Sequence, residues 1–137
     1  MKKIFFLVVL ILLVAGCEKS EKDINPEIGM SPQSLENYFQ VDWAKIDRID
    51  IRNGATGELR TFKEKEILRK WIDETRIIEI TPDPSQEGRT GFRFSANLYE
   101  GDQLKFGFTD GHVGKVYILS SDLLYNQLKS LYESYTP

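Results

Sequence analysis

With 137 residues, a formal net charge of −3 at pH 7, 41% hydrophobic and 28% charged residues, the chain has the length of one domain around a single core. A mildly acidic balance, with no cluster of Lys and Arg interleaved with stacking aromatics, excludes a nucleic-acid binder, so no nucleic acid is expected as a partner. One cysteine and one histidine exclude an internal disulfide and a zinc site of paired histidines, while eight Phe, six Tyr and two Trp supply bulk for the core.

Met1-Lys2-Lys3 is a basic start, and Ile4 to Ala15 is an unbroken apolar run of twelve residues, the length of a signal-peptide core. A membrane-spanning helix needs about 20 apolar residues, and here Glu18-Lys19 follow at once, so the run reads as a targeting segment. Small Ala15 and Gly16 let the backbone enter a peptidase cleft in extended form, and the thiol of Cys17 stands next as a nucleophile for a diacylglyceryl group. Val14-Ala15-Gly16-Cys17 resembles the lipobox of bacterial lipoproteins. That resemblance covers residues 1–17 and implies thioether lipidation of Cys17, cleavage before it, and a lipid anchor on the extracytoplasmic face of the cell membrane. Two or three acyl chains hold a protein on a bilayer, whereas one, at about 0.8 kcal/mol per buried methylene, binds marginally. Cleavage removes Lys2 and Lys3 and takes the formal charge from −3 to −5. The alternative is an ordinary secretory cleavage site with Cys17 unmodified.

From Glu18 to about Gln33 the chain is charged, has two prolines and shows no apolar period, as a flexible tether does. Ser31-Pro32 has the form of an N-cap with proline at the first helical position, predicting a short helix over Leu35 to Phe39. Asp47 to Arg52 alternates, and Asn53-Gly54 with Gly57 suits a hairpin turn, with a second strand ending near Thr61. Thr61 and Glu64 have capping-box spacing ahead of Ile67, Leu68, Trp71, Ile72 and Thr75, one face of a 3.6-residue period. Arg76 to Ile80 is a short strand stopped by Pro82-Asp83-Pro84.

Phe92, Phe94, Ala96 and Leu98 alternate with Arg93, Ser95, Asn97 and Tyr99, the pattern of an antiparallel strand with one wet side. Leu104, Phe106 and Phe108 repeat it after Gly101-Asp102, and Val116 to Leu119 follows the turn at Asp110-Gly111 as a third strand. Ser120 or Ser121 caps a last helix with Leu124, Leu128, Leu131 and Tyr132 as its buried stripe. The order hairpin, helix, strand, three-strand meander, helix predicts an α+β two-layer sandwich: a mainly antiparallel sheet with two main helices on one face. The organisation is a signal peptide over 1–16, lipidated cysteine and tether over 17–33, and one globular domain over 34–137. The Gly91 to Tyr99 stretch, Gly-Phe-x-Phe-Ser-x-x-Leu-Tyr, and the terminal helix resemble small domains of unknown function in lipoproteins of Gram-positive bacteria, a resemblance that brings no catalytic residues.

No catalytic constellation, metal site or cofactor is expected. His112 follows Asp110-Gly111 and reads as a solvated turn residue rather than a catalyst. Gly111 to Lys115 is too short for a phosphate loop, and Val116 stands where magnesium needs Ser or Thr. Asp47, Asp50 and Glu58 flank the first hairpin, but Asp47 and Asp50 point to opposite faces of a strand. Asp83, Asp102 and Asp110 lack the register of a calcium loop and suit turn geometry. The most suggestive segment is Thr81 to Gly91, eleven residues without periodicity. Pro82, Asp83, Pro84, Glu87, Arg89 and Arg93 make it a candidate partner-binding loop: prolines lower the ordering cost, and the arginines can receive a carboxylate or phosphate. A plain hydrophilic connection is the other reading. Tyr99, Tyr117 and Tyr125 either extend the contact surface or serve the core. The reading is a non-enzymatic envelope module that binds an envelope protein or cell-wall component. A small-ligand accessory is the alternative, and a carboxylate-dependent wall hydrolase comes third, since it needs two carboxylates in one cleft.

Overall fold

The computed structural model describes residues 31–137, so the leader, Cys17 and most of the expected tether lie outside the described residues. Strand β1 (Gln33–Ser34) pairs antiparallel with β4 (Glu79–Ile80). Gln33 is therefore part of the domain and not of the tether. Two single-turn 3-10 helices follow β1, Leu35–Tyr38 and Trp43–Lys45. The first begins after Ser34, which is extended and makes no side-chain cap, so the cap at Ser31-Pro32 does not form. Pairing of β1, continued by Leu35 N–H to the Ile78 carbonyl at 2.8 Å, keeps the chain extended through that point.

The main sheet contains β2 (Arg48–Asn53), β3 (Leu59–Phe62), β5 (Phe94–Glu100), β6 (Gln103–Thr109), β7 (His112–Val113) and β8 (Val116–Tyr117). Its order is β3-β2-β5-β6-β7-β8, and every neighbouring pair is antiparallel. Ile49 faces Leu98, which faces Phe106, and Ile51 faces Ala96, which faces Phe108. These residues share one face and are all buried, as a two-residue period requires.

Helices α1 (Lys65–Thr75) and α2 (Asp122–Glu133) cover that face. Trp71 of α1 stacks on Phe108 with centroids 6.3 Å apart, and its Nε1 donates to the Gln127 carbonyl of α2 at 2.9 Å. Phe94 lies 5.8 Å from Tyr125 and 5.3 Å from Tyr132 of α2. The result is the expected α+β two-layer arrangement. Ser121 caps α2 by accepting the Leu124 N–H, and Leu124, Leu128, Leu131 and Tyr132 are its buried stripe, both as the local pattern requires.

Four local expectations are corrected. Thr61 is no helix cap: it lies in β3 and its hydroxyl donates to Asp50 at 2.8 Å, while Glu64 precedes α1 without a side-chain cap bond. The predicted strand from Arg76 shortens to Glu79–Ile80, because Arg76 closes α1 by donating its N–H to the Ile72 carbonyl. Leu104 is half exposed, because the register breaks between Leu98 and Tyr99 and sets Leu104 opposite Tyr99 on the wet face; such a bulge reverses the alternation beyond it. The third meander strand is two short ones, β7 and β8, joined through Gly114 at φ 57°, and Ile118 bridges antiparallel to Pro82.

Candidate functional site

The segment from Thr81 to Gly91 is built onto the β8 edge. Leu119 N–H donates to the Thr81 carbonyl at 2.9 Å and Asp83 N–H to the Tyr117 carbonyl at 2.9 Å. Buried Pro82 lies between them, a tolerable place for a residue without an N–H because this is the margin of the sheet. Gln86 then acts as a substitute strand. Its Nε2 donates to the Tyr117 carbonyl at 2.9 Å, and its Oε1 accepts the Tyr117 N–H at 2.9 Å.

Asp83 and Arg89 close the loop on itself. Arg89 Nη2 donates to Asp83 Oδ2 at 2.5 Å and to the Ser85 carbonyl at 3.1 Å, while Asp83 Oδ1 accepts the Ser85 N–H at 2.8 Å. The Ser85 N–H, then the Arg89 guanidinium, hold the Asp83 carboxyl below its ordinary pKa. Arg89 also lies over the Tyr117 ring at 5.2 Å, and its N–H donates to the Tyr117 hydroxyl at 3.2 Å. Pro84 and Glu87 are exposed.

Arg93 belongs to a neighbouring arrangement. Its Nε donates to Asp110 Oδ2 at 2.6 Å, its backbone N–H reaches Asp110 Oδ1 at 3.1 Å, and its guanidinium covers the Tyr125 ring at 3.7 Å. Asp110 is buried, and its charge is balanced by these donors and by the Phe94 N–H at 3.4 Å. His112 is in β7 and not at a turn tip. Its Nδ1 lies 2.9 Å from Thr109 Oγ1, and its ring is 6.0 Å from that of Tyr117.

These contacts join residues distant in sequence into one surface. It runs from Arg89 through Tyr117 and His112 to Asp110, Arg93 and Tyr125, with Phe92, 38% exposed, beside it. Both arginines retain exposed side chains, 46% and 50%, yet each already has a carboxylate partner. Tyr99 lies elsewhere, on the open sheet face under Arg48 at 3.8 Å. Gln86 and Asp110 are the positions that sequence reasoning missed. Gln86 gives no local signal, and Asp110 was explained by its turn.

The first-hairpin carboxylates are engaged separately. Both oxygens of Asp47 accept the Gly101 N–H, at 2.9 and 3.1 Å. Asp50 meets Thr61 and lies 3.5 Å from Arg48. Glu58 accepts the Tyr132 hydroxyl at 2.8 Å and Arg60 Nε at 2.9 Å, and these bonds, Tyr132 first, hold its carboxyl below the usual pKa. Asp47 and Asp102 line one open hollow with Arg48 and Lys63. Among the described residues no group of three or more His, Cys, Asp or Glu is arranged to hold a metal, and no helix is long and apolar enough to cross a membrane.

Residues 1–17 match the family model of the prokaryotic membrane lipoprotein lipid attachment site. The match supports a membrane-anchored lipoprotein. The match ends at Cys17, the lipid-bearing position expected from the lipobox. No curated protein and no solved structure matches the chain.

Proposed function

We propose that the lipoprotein is a non-enzymatic binding module on the extracytoplasmic face of a bacterial membrane, and that its partner is another envelope protein. The observation that supports this reading is the connected arginine and tyrosine surface beside Phe92. Tyr, Phe and Arg are the residues enriched where protein partners bind, and rings offer contact area at low entropic cost. Gln86 and the Asp83–Arg89 pair fix the adjoining loop beforehand, which lowers the cost of ordering it on association. Lipid on Cys17 would confine the module to two dimensions and raise its effective concentration toward a membrane-bound partner.

The test is photo-cross-linking in intact cells, with the full lipidated chain carrying the cross-linker at Glu87. One partner is expected, captured with Leu104→Ala and lost with both Cys17→Ala and Phe92→Ala. Capture that Phe92→Ala and Arg89→Ala leave undiminished rejects this surface.

A further inference from the structure

Several cations in this domain have carboxylate partners. Arg60 meets Glu58, Arg76 meets Glu36, Arg89 meets Asp83, Arg93 meets Asp110, and Lys129 meets Glu133. Lys45, Lys63 and Lys65 are among those that lack one. None of the three makes an ion pair or a side-chain hydrogen bond within the described residues, yet all three line one hollow of about 230 Å³ together with the buried Ile46 and Leu68. Asp47 and Lys63 also line a second hollow of about 230 Å³ that reaches Arg48 and Gly101, so the two form one cleft.

The wall of this cleft is fixed. Arg69 donates Nη1 to the Trp43 carbonyl at 3.0 Å and Nη2 to the Ile46 carbonyl, tying the second 3-10 turn, which carries Lys45, to α1. Its guanidinium is thereby used internally, leaving the three ammonium groups for a ligand. The carboxylate that lines the hollow with them, Asp47, has both oxygens on the Gly101 N–H. With Asp102 as the only other lining carboxylate, positive charge is in excess here, although the whole chain is acidic.

We propose that this cleft binds the phosphate group of a phosphate ester. Ammonium groups on flexible stems act as point charges and converge on a compact, multiply charged tetrahedral group, whereas planar carboxylates suit the fork of arginine. Water takes about 30 Å³ per molecule in the liquid, so each hollow has room for a phosphate group in place of several waters. The site is separate from the Arg89 to Tyr125 surface and stands or falls independently of it.

The phosphate can belong to a soluble ester or to a lipid headgroup, and the experiment distinguishes them. The full lipidated chain is placed in nanodiscs of phosphatidylcholine, and glycerol phosphate is titrated while the backbone amide resonances of residues 44–48 and 63–69 are followed. The second arm replaces the discs with ones containing phosphatidylglycerol. Saturable shifts with glycerol phosphate identify a soluble ester, and shifts only in the phosphatidylglycerol discs identify a headgroup. In either case the joint change Lys45→Gln, Lys63→Gln and Lys65→Gln weakens binding about tenfold or more, while Lys70→Gln, an unpaired lysine lining the interhelical groove, has no effect. Absence of saturable shifts in both arms overturns the proposal, as does equal weakening by Lys70→Gln, which would reduce it to diffuse attraction.

Discussion

Gln86 uses both ends of one amide on the backbone of Tyr117, so its truncation frees the loop without opening the core. Gln86→Ala is expected to cost about 1 kcal/mol and to speed protease cleavage near Ser85 while the melting transition stays cooperative. Gly54 is required by close approach and not by its φ: a Cβ there would lie 1.8 Å from the Phe92 carbonyl oxygen, beside the bond from Gly54 N–H to Arg93 O. Gly54→Ala therefore displaces residues 92–93 and should destabilise by about 2 kcal/mol or more in urea unfolding. Glu58 sets an acid limit. Its folded pKa lies below the ordinary value, so its contribution is present above the unfolded pKa and is lost as pH falls through the folded one. The stability difference between the native chain and Glu58→Gln should be largest near neutrality and shrink below about pH 4, which urea midpoints across that range would report. Residue type alone revealed the candidate loop, but not that Arg89 and Arg93 are already neutralised by Asp83 and Asp110.

The elements divide by how local their causes are. Helix α2 was legible because its cap and its four-residue stripe lie within thirteen consecutive residues and obey one period. Its docking is carried by side chains such as Leu128, which has no exposed surface. Leu128→Ala should therefore cost about 2 to 5 kcal/mol of unfolding free energy, according to how far the cavity collapses. Strand β6 was only half legible. Phe106 and Phe108 point inward as alternation requires, but the bulge between Leu98 and Tyr99 turns Leu104 to solvent. Such a break depends on the partner strand's register and leaves no mark in the strand's own composition. Thr61 failed as a cap for a related reason: pairing with Asp50 in the sheet took the hydroxyl that capping would have used.

At the scale of the whole molecule, one domain and its anchor have separate physical bases. Cys17→Ala should move the protein from the detergent phase to the aqueous phase in Triton X-114 partitioning, because losing the acyl chains removes most of the hydrophobic attraction to a bilayer. The melting temperature of the folded domain should be unchanged, since the described core draws on residues from Leu35 to Tyr132. A large loss of thermal stability in that variant would show that the leader region contributes to the fold.

The sequence by itself determined the targeting segment and lipid site, the class of fold, the amphipathic helices and the inward face of the central strands. Each is a matter of composition or short-period pattern, set by neighbours along the chain. Only the tertiary structure decided the strand order, the bulge, the clamp of Gln86 on Tyr117, the pairing of Arg93 with Asp110 and the meeting of Lys45 with Lys63 and Lys65. These depend on which distant segments the buried core brings together, and on which charges then find partners within reach. A linear pattern states a side chain's chemistry, but not the atom that will lie opposite it.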